Sequence, residues 1–236
     1  MGLFKRLLRR SLGWLLRRHP EIAFQALKQW PPTASFASLP DYPQRDFEDL
    51  VWMLASNPTN KNLLLLELDE AAFLFRLARS RPAVQILEIG RCFGGSTFLF
   101  AVASDRNSTV TSIDIAPQND DLLRTALAKI GLLHKVRLIV GNSQASQVIR
   151  DSYDLIFVDG DHSYEGVEAD YGTWKRAVKP GGNLIFHNAA IGRAGAGVTA
   201  GPMRLAGEIT QRDNDHYTRQ PDVGSLAIFL RTQKPW

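Results

Sequence analysis

The stretch Val84-Gln85-Ile86-Leu87-Glu88-Ile89-Gly90-Arg91-Cys92-Phe93-Gly94-Gly95-Ser96-Thr97 constrains the fold of this chain more than any other. Its apolar side chains up to Ile89 suit a strand covered on both faces. Gly90 allows a sharp turn with positive φ, and Gly94 and Gly95 let a ligand approach the backbone. Ser96 or Thr97 is placed to cap the helix that follows through Phe98, Leu99 and Phe100. The result is a helix N-terminus whose free N–H groups face whatever sits over the strand end. A dinucleotide fingerprint, G-x-G-x-x-G, would need its second glycine at Cys92, so a pyrophosphate does not fit.

From residue 83 onward, apolar strands alternate with helical stretches, which implies a parallel sheet with helices packed on it. The strands read as Val84–Ile89, Thr109–Ile115, Val136–Val140, Tyr153–Val158 and Asn183–Phe186. Helices are expected over Leu68–Ala78 with Asp69 as cap, over roughly 119–130, over Ser163–Val178 and near 202–211. Lys179-Pro180-Gly181-Gly182 would stop the third of these. The tail Gly224–Arg231 reads as a last strand in a terminal hairpin, and Gly192–Gly201 as a glycine-rich loop.

Ahead of this lie a proline-bearing connector over 30–48, with a short helix expected over Asp46–Ser56, and a basic leader. The formal net charge of +4 belongs to that leader: residues 1–30 hold seven Lys/Arg against one acid, and the remaining 206 hold 21 against 23. The body is therefore no polycation, and nucleic acid is excluded as a partner. Residues 1–18 form an amphipathic pattern, with Phe4, Leu8, Leu12 and Leu15 on one side and Arg9, Arg10, Arg17 and Arg18 on the other. That pattern suits an anionic membrane surface and equally a helix packed on protein. It is too interrupted by arginine for a membrane span or a signal peptide. Arg6 sits where a myristoylation signal wants Ser or Thr. The domain expectation is a basic extension over 1–30, a connector or cap over 31–64 and a catalytic domain over 65–236. The expected location is cytoplasmic, peripheral to the membrane where the leader binds it. The single cysteine, Cys92, excludes an internal disulfide.

Polar clusters fall at strand carboxyl ends, where open α/β sheets bind ligands. Asp114 ends the second strand, and a carboxylate there can accept both hydroxyls of a ribose. Ile115 is placed to pack on the base. Asn142 and Ser143 follow the third strand, and Asn142 can offer an amide oxygen to an adenine amino group. Asp159-Gly160-Asp161-His162-Ser163 follows the fourth strand, and His187-Asn188 the fifth. His162 is a candidate general base with Asp161 to orient it. The same residues equally suit a helix cap. Cys92 has no base partner beside it and reads as a small filler.

E-x-G-x-x-x-G-G-S-T over 88–97 is similar to the first motif of the class I S-adenosylmethionine-dependent methyltransferases. V-D-G-D-H-S-Y-E-G-V from Val158, P-G-G at Pro180 and F-H-N at Phe186 resemble a bacterial branch of that class, related to cephalosporin hydroxylase-type and macrolide or sugar O-methyltransferases. The resemblance covers roughly residues 65–232. It implies a Rossmann-like α/β fold: a mostly parallel seven-stranded sheet, helices on both faces and a C-terminal antiparallel hairpin. It implies S-adenosylmethionine as cofactor, held by Glu88, Gly90, Gly94, Ser96, Asp114, Ile115, Asn142 and Ser143. By position it implies a metal held by Asp159, His187 and Asn188, with Mg²⁺ the ion that oxygen ligands suit. This chain has His-Asn where the pattern has His-Asp, so one anionic ligand is lost, and imidazole is softer than Mg²⁺ prefers. The expected activity is methyl transfer to a hydroxyl of a sugar, polyketide, other secondary metabolite or envelope glycan. Two alternatives stand beside it: a hydroxylase-like relative on the same fold, and a non-catalytic, membrane-docked protein with a decayed site. The sequence leaves oligomeric state open, a homo-oligomer included.

Overall fold

The computed structural model describes residues 35–54, 63–190 and 200–236. The basic amphipathic pattern over 1–18 and most of the glycine-rich loop lie outside these residues.

Seven strands form one sheet: β1 Gln85–Ile89, β2 Thr109–Asp114, β3 Val136–Val140, β4 Tyr153–Val158, β5 Val178–Phe186, β6 Tyr217–Arg219 and β7 Ala227–Arg231. Their spatial order is β3-β2-β1-β4-β5-β7-β6. The first five are parallel, while β7 runs antiparallel to both β5 and β6. The fold expected from the resemblance is the one observed. Strand order reverses between β1 and β4, which opens a crevice at their carboxyl ends.

Period-two alternation sends each strand's side chains to two cores. Ile86, Val110, Leu155, Phe157, Ile185 and Ile228 face one core, shared with helices α1 Leu68–Arg79, α2 Gly95–Ala103 and α3 Asp120–Lys129. Leu87, Ile89, Ile113, Ile156, Leu184 and Phe229 face the other, covered by α4 Tyr164–Trp174 and α5 Ala200–Arg212. All nine residues of α2 are buried, because it carries a second layer. Phe36 and Trp52, from the segment before α1, set their rings 5.3 and 6.1 Å from that of Phe98. No helix among the described residues is long and apolar enough to cross a membrane.

Five local expectations are corrected. The N-cap of α2 is Gly94, left-handed at φ 86°, and not Ser96 or Thr97, which lie inside the helix. The N-cap of α1 is Glu67, not Asp69, and Glu67 donates its N–H to Oε2 of Glu70 (2.7 Å). The segment at 46–56 is a 3₁₀ turn over Phe47–Met53. Helix α4 ends at Trp174, well before Val178. Its successor β5 already begins at Val178 and runs through Pro180, Gly181 and Gly182. The register slips there, from Tyr153 opposite Val178 to Leu155 opposite Asn183. A proline with no N–H is tolerated in such an irregularity.

Candidate functional site

The glycine loop between β1 and α2 is pinned from three sides. Gly90 at φ 85° lies so close to β4 that a methyl group would overlap the carbonyl of Asp159. A methyl group on Gly95 would overlap the carbonyl of Leu63. Asp114 accepts from the backbone N–H of Arg91 (2.8 Å) and Cys92 (2.9 Å) through Oδ2, and from Ala116 (2.7 Å) through Oδ1. Its carboxylate thus fixes the loop with the atoms expected to meet a ribose.

Arg91, which sequence reasoning passed over, locks the loop from beneath. Its guanidinium is buried and forms two bonds to Asp120, at 2.8 and 2.7 Å. It also donates to the carbonyls of Ser112 (3.0 Å) and Ile139 (2.9 Å). One side chain thereby ties the loop to β2, β3 and the start of α3, the bidentate geometry that arginine provides and lysine cannot.

Glu88 is fully buried under the loop. Burial pushes its carboxyl up to about 7, against the pull of hydrogen bonds from Ser112, Ser96 and Thr97 and of the Arg91 charge. Its Oε2 accepts from the hydroxyls of Ser112 (2.5 Å) and Thr97, and its buried Oε1 has no hydrogen-bond partner among the described residues. Glu88 joins β1, β2 and the first turn of α2.

At the ends of β4 and β5, four titratable groups form a chain. His162 sets Nε2 3.2 Å from Oδ1 of Asp159. His187 sets Nδ1 2.8 Å from the same oxygen, and its Nε2 is 3.5 Å from Oε2 of Glu70. Glu70, on α1, is completely buried and also accepts the N–H (2.6 Å) and hydroxyl (2.8 Å) of Ser225. Burial alone would lower the basicity of His187, but Asp159 and Glu70 raise it to about 10. Burial would likewise raise the Asp159 and Glu70 carboxyls, yet His187 and the surrounding hydrogen bonds hold both below their ordinary values.

Asp161 does not orient His162. It accepts from the N–H of Ser163 (2.8 Å), and Ser163 caps α4 by accepting from the N–H of Gly166 (3.0 Å). The helix-capping role belongs to Asp161 and Ser163, while Asp159 holds the imidazole.

A cleft of about 270 Å³, counting its open mouth, lies over this region. It is lined by Leu63, Leu65 and Leu66 on one side and by Gly90, Cys92, Ser96 and Asp159 on the other. Of the expected cofactor residues it brings in Gly90 and Ser96. Ile115, 74% exposed, stands free at the end of β2. Asn142 caps a short turn by accepting from the N–H of Gln144 (2.9 Å), and Ser143 donates to Asp170 (2.5 Å), so both are turned to their own neighbours. Partial burial raises the Cys92 thiol, and Asp114 and Asp159 push it the same way, so it stays an uncharged lining group.

The implied metal ligands do not fit Mg²⁺. The group that converges, with one atom from each member within 4.8 Å of the others, is Asp159, His162 and His187. Two imidazoles and one carboxylate are a poor set for an ion that prefers oxygen. Both ring nitrogens of His187 already face carboxylate oxygens. Asn188, left-handed at φ 54°, sets its amide nitrogen 3.3 Å from Nδ1 of His187 and its amide oxygen 3.5 Å from the hydroxyl of Ser225.

These shifts fix a pH dependence. A group bound more tightly to its proton in the folded state stabilises the fold at low pH and loses that contribution as pH rises through the folded value. For His187 the contribution is complete below pH 6.5 and lost as pH rises through about 10. For Glu88 the corresponding loss runs from pH 4.5 through about 7. Asp159 and Glu70 act oppositely and lose theirs as pH falls below their ordinary values. The urea midpoint is therefore expected to decline from pH 6.5 to about 8, above which buried Lys135, its ammonium lowered to about 8, opposes the slope of His187. His187→Gln should lower it at pH 7 and flatten that slope; an unchanged slope would show that His187 is not the group responsible.

Residues 87–189 match the model of a family described as a methyltransferase domain. A curated protein of Mycobacterium sp. (strain JLS), named "Putative O-methyltransferase", is 32% identical over 128 residues, covering 52% of this chain and 57% of that protein. The homologue of the same name from Mycobacterium avium (strain 104) is 32% identical over 134 residues, covering 52% and 57%. The matched region thus spans little more than half the length of these relatives. A methyltransferase structure from Geobacter sulfurreducens is 24% identical with a TM-score of 0.55, covering 70% of this chain and 78% of that one. The O-methyltransferase TomG of Streptomyces achromogenes, solved in complex with SAM, is 21% identical with a TM-score of 0.55, covering 73% and 83%. The SAH-bound methyltransferase PaMTH1 of Podospora anserina is 16% identical with a TM-score of 0.59, covering 78% and 86%. These structures share the fold.

Proposed function

We propose that this chain, in which residues 87–189 match a methyltransferase domain and the sheet order is that of the class I methyltransferase fold, transfers a methyl group from S-adenosylmethionine to a hydroxyl oxygen of a small molecule. The acceptor class we favour is a sugar, polyketide or other secondary metabolite. One observation carries the reading: the glycine loop and Asp159, which holds His162, line the same cleft. That proximity supports reading the loop as the seat of the cofactor and His162 as the base.

In this reading the loop N–H groups at the start of α2 and Ser96 meet the methionine end of the cofactor. Asp114 takes the ribose hydroxyls with oxygens already oriented by three backbone donors. Ile115 offers an exposed apolar face to adenine. The acceptor oxygen attacks the methyl carbon in line with the departing sulfur. A C–O bond forms as the C–S bond breaks, and the sulfonium becomes a neutral thioether. His162 takes the hydroxyl proton, and Asp159 stabilises the imidazolium that forms. Because the reaction is a displacement between bound partners, alignment supplies much of the acceleration.

Calorimetric titration with S-adenosylmethionine tests the reading. The wild type is expected to bind at micromolar Kd. Asp114→Ala should weaken binding by about 10²-fold, since hydrogen bonds to a charged group contribute about 1.5–3 kcal/mol each. Thermal melts of both proteins separate this from unfolding. No binding by a folded wild type would overturn the proposal.

A further inference from the structure

The sharpest departure from the expected site lies behind the proposed base. Two carboxylates, Glu70 from α1 and Asp159 from the end of β4, converge on one buried imidazole, His187. Buried carboxylates are costly unless paired with a cation and hydrogen-bonded. Glu70 meets that need through the N–H and hydroxyl of Ser225, the N–H of Glu67 and the ring of His187. The turn before β7 is shaped around it, because a methyl group on Gly224 would overlap the Glu70 carboxylate. Asp159 offers the same Oδ1 to His187 on one side and His162 on the other.

We propose that His187 is the built-in cation of this site: Glu70 and Asp159 hold it by its two ring nitrogens, it fixes Asp159 against His162, and no divalent ion enters the cluster. A metal needs a bare lone pair on each ligand atom. With Nδ1 donating to Asp159 and Nε2 turned to Glu70, His187 has none to give. Asn188, where an acid would add charge, brings a neutral amide instead. The site thus already contains the positive charge that would draw Asp159 into position. Glu70 is a positioning residue, acting on the reaction only through His187 and Asp159. The catalytic arm of this inference rests on His162 being the base; the metal arm does not.

The test uses the full chain labelled with ¹⁵N-histidine and titrated with Mn²⁺ and Zn²⁺. At pH 8 the wild type is expected to show one histidine, assigned by its absence in His187→Gln, with protons on both ring nitrogens. Neither metal nor chelator should change that signal, and the electron paramagnetic resonance of free Mn²⁺ should persist at equimolar protein. Glu70→Gln should bare one nitrogen of His187. It should also lower kcat at least tenfold while leaving the Kd for S-adenosylmethionine within about twofold. A purely structural Glu70 would change the melting temperature but neither the ring signal nor kcat. Stoichiometric binding of either metal by the wild type, lost in His162→Ala, would overturn the proposal and put a two-histidine, one-carboxylate metal site in its place. A bare ring nitrogen on His187 in the wild type would also overturn it. The metal titration needs no variant, so it decides even where Glu70→Gln does not fold. Failure to bind S-adenosylmethionine would defeat the methyltransferase reading and leave the metal result standing.

Discussion

His162→Ala is expected to lower kcat by about 10²–10⁴-fold, the usual contribution of a positioned general base, without weakening S-adenosylmethionine binding. The imidazole is one-third exposed, and the hydrogen bond it forms is to Asp159. It carries none of the bonds that pin the glycine loop, which belong to Asp114, Arg91 and Glu88. Stability should therefore shift by less than about 1 kcal/mol, as for substitutions outside a packed core. A loss confined to kcat, with Kd for the cofactor and melting temperature unchanged, identifies a group that acts in the transition state. Asp159→Asn should mimic it in kcat and also lower stability, because His187 loses one of its two carboxylate counter-charges. Retention of kcat within threefold in His162→Ala would remove His162 from the mechanism.

Gly90→Ala is expected to prevent accumulation of folded protein. A left-handed conformation costs an L-residue about 1–2 kcal/mol by itself. The added methyl also overlaps the Asp159 carbonyl and the Gly160 backbone, which cannot yield as a flexible side chain would. Relief would require parting the end of β1 from β4, and with it the bond from Asp159 N–H to the Ile89 carbonyl (2.8 Å). Together these exceed about 3 kcal/mol, a large share of the roughly 5–15 kcal/mol that holds a domain folded. Gly207→Ala, in the interior of α5, is the control: a methyl group there meets nothing within 4 Å. Replacing a helical glycine with alanine should stabilise by about 0.5–1 kcal/mol. Equal urea midpoints for the two variants would refute the close-approach argument.

Much of the fold was readable because its signals are local. Val136–Val140 and Tyr153–Val158 are short apolar runs bounded by turns, and both strands fall where the runs do. The glycine spacing of 90, 94 and 95 marked a loop whose backbone is open to close approach, expected at Gly94 and Gly95 from a ligand; at Gly90 and Gly95 the close neighbour is the chain's own backbone, at Asp159 and Leu63. The start of β5 was missed because Lys179-Pro180-Gly181-Gly182 carries the local signature of a helix stop. Only pairing with β4 reveals an irregular strand there.

The site divides along the same line. The chain's residues by themselves placed Asp114, Asp159, His162 and His187 at strand ends, since a polar residue closing an apolar run in a parallel sheet lies at the ligand-binding edge. Which of these touch was settled by packing. Asp159 rather than Asp161 holds His162, because the turn into α4 spends Asp161 on the N–H of Ser163. Glu70 reaches Ser225, 155 positions away, through the crossing of α1 with the C-terminal hairpin. Arg91 reaches Asp120 and the carbonyl of Ile139 by passing under its own loop. Periodicity, glycine spacing and strand-end polarity are properties of neighbours along the chain. The charge that His187 carries comes from carboxylates contributed by two different elements, and only folding brings those together.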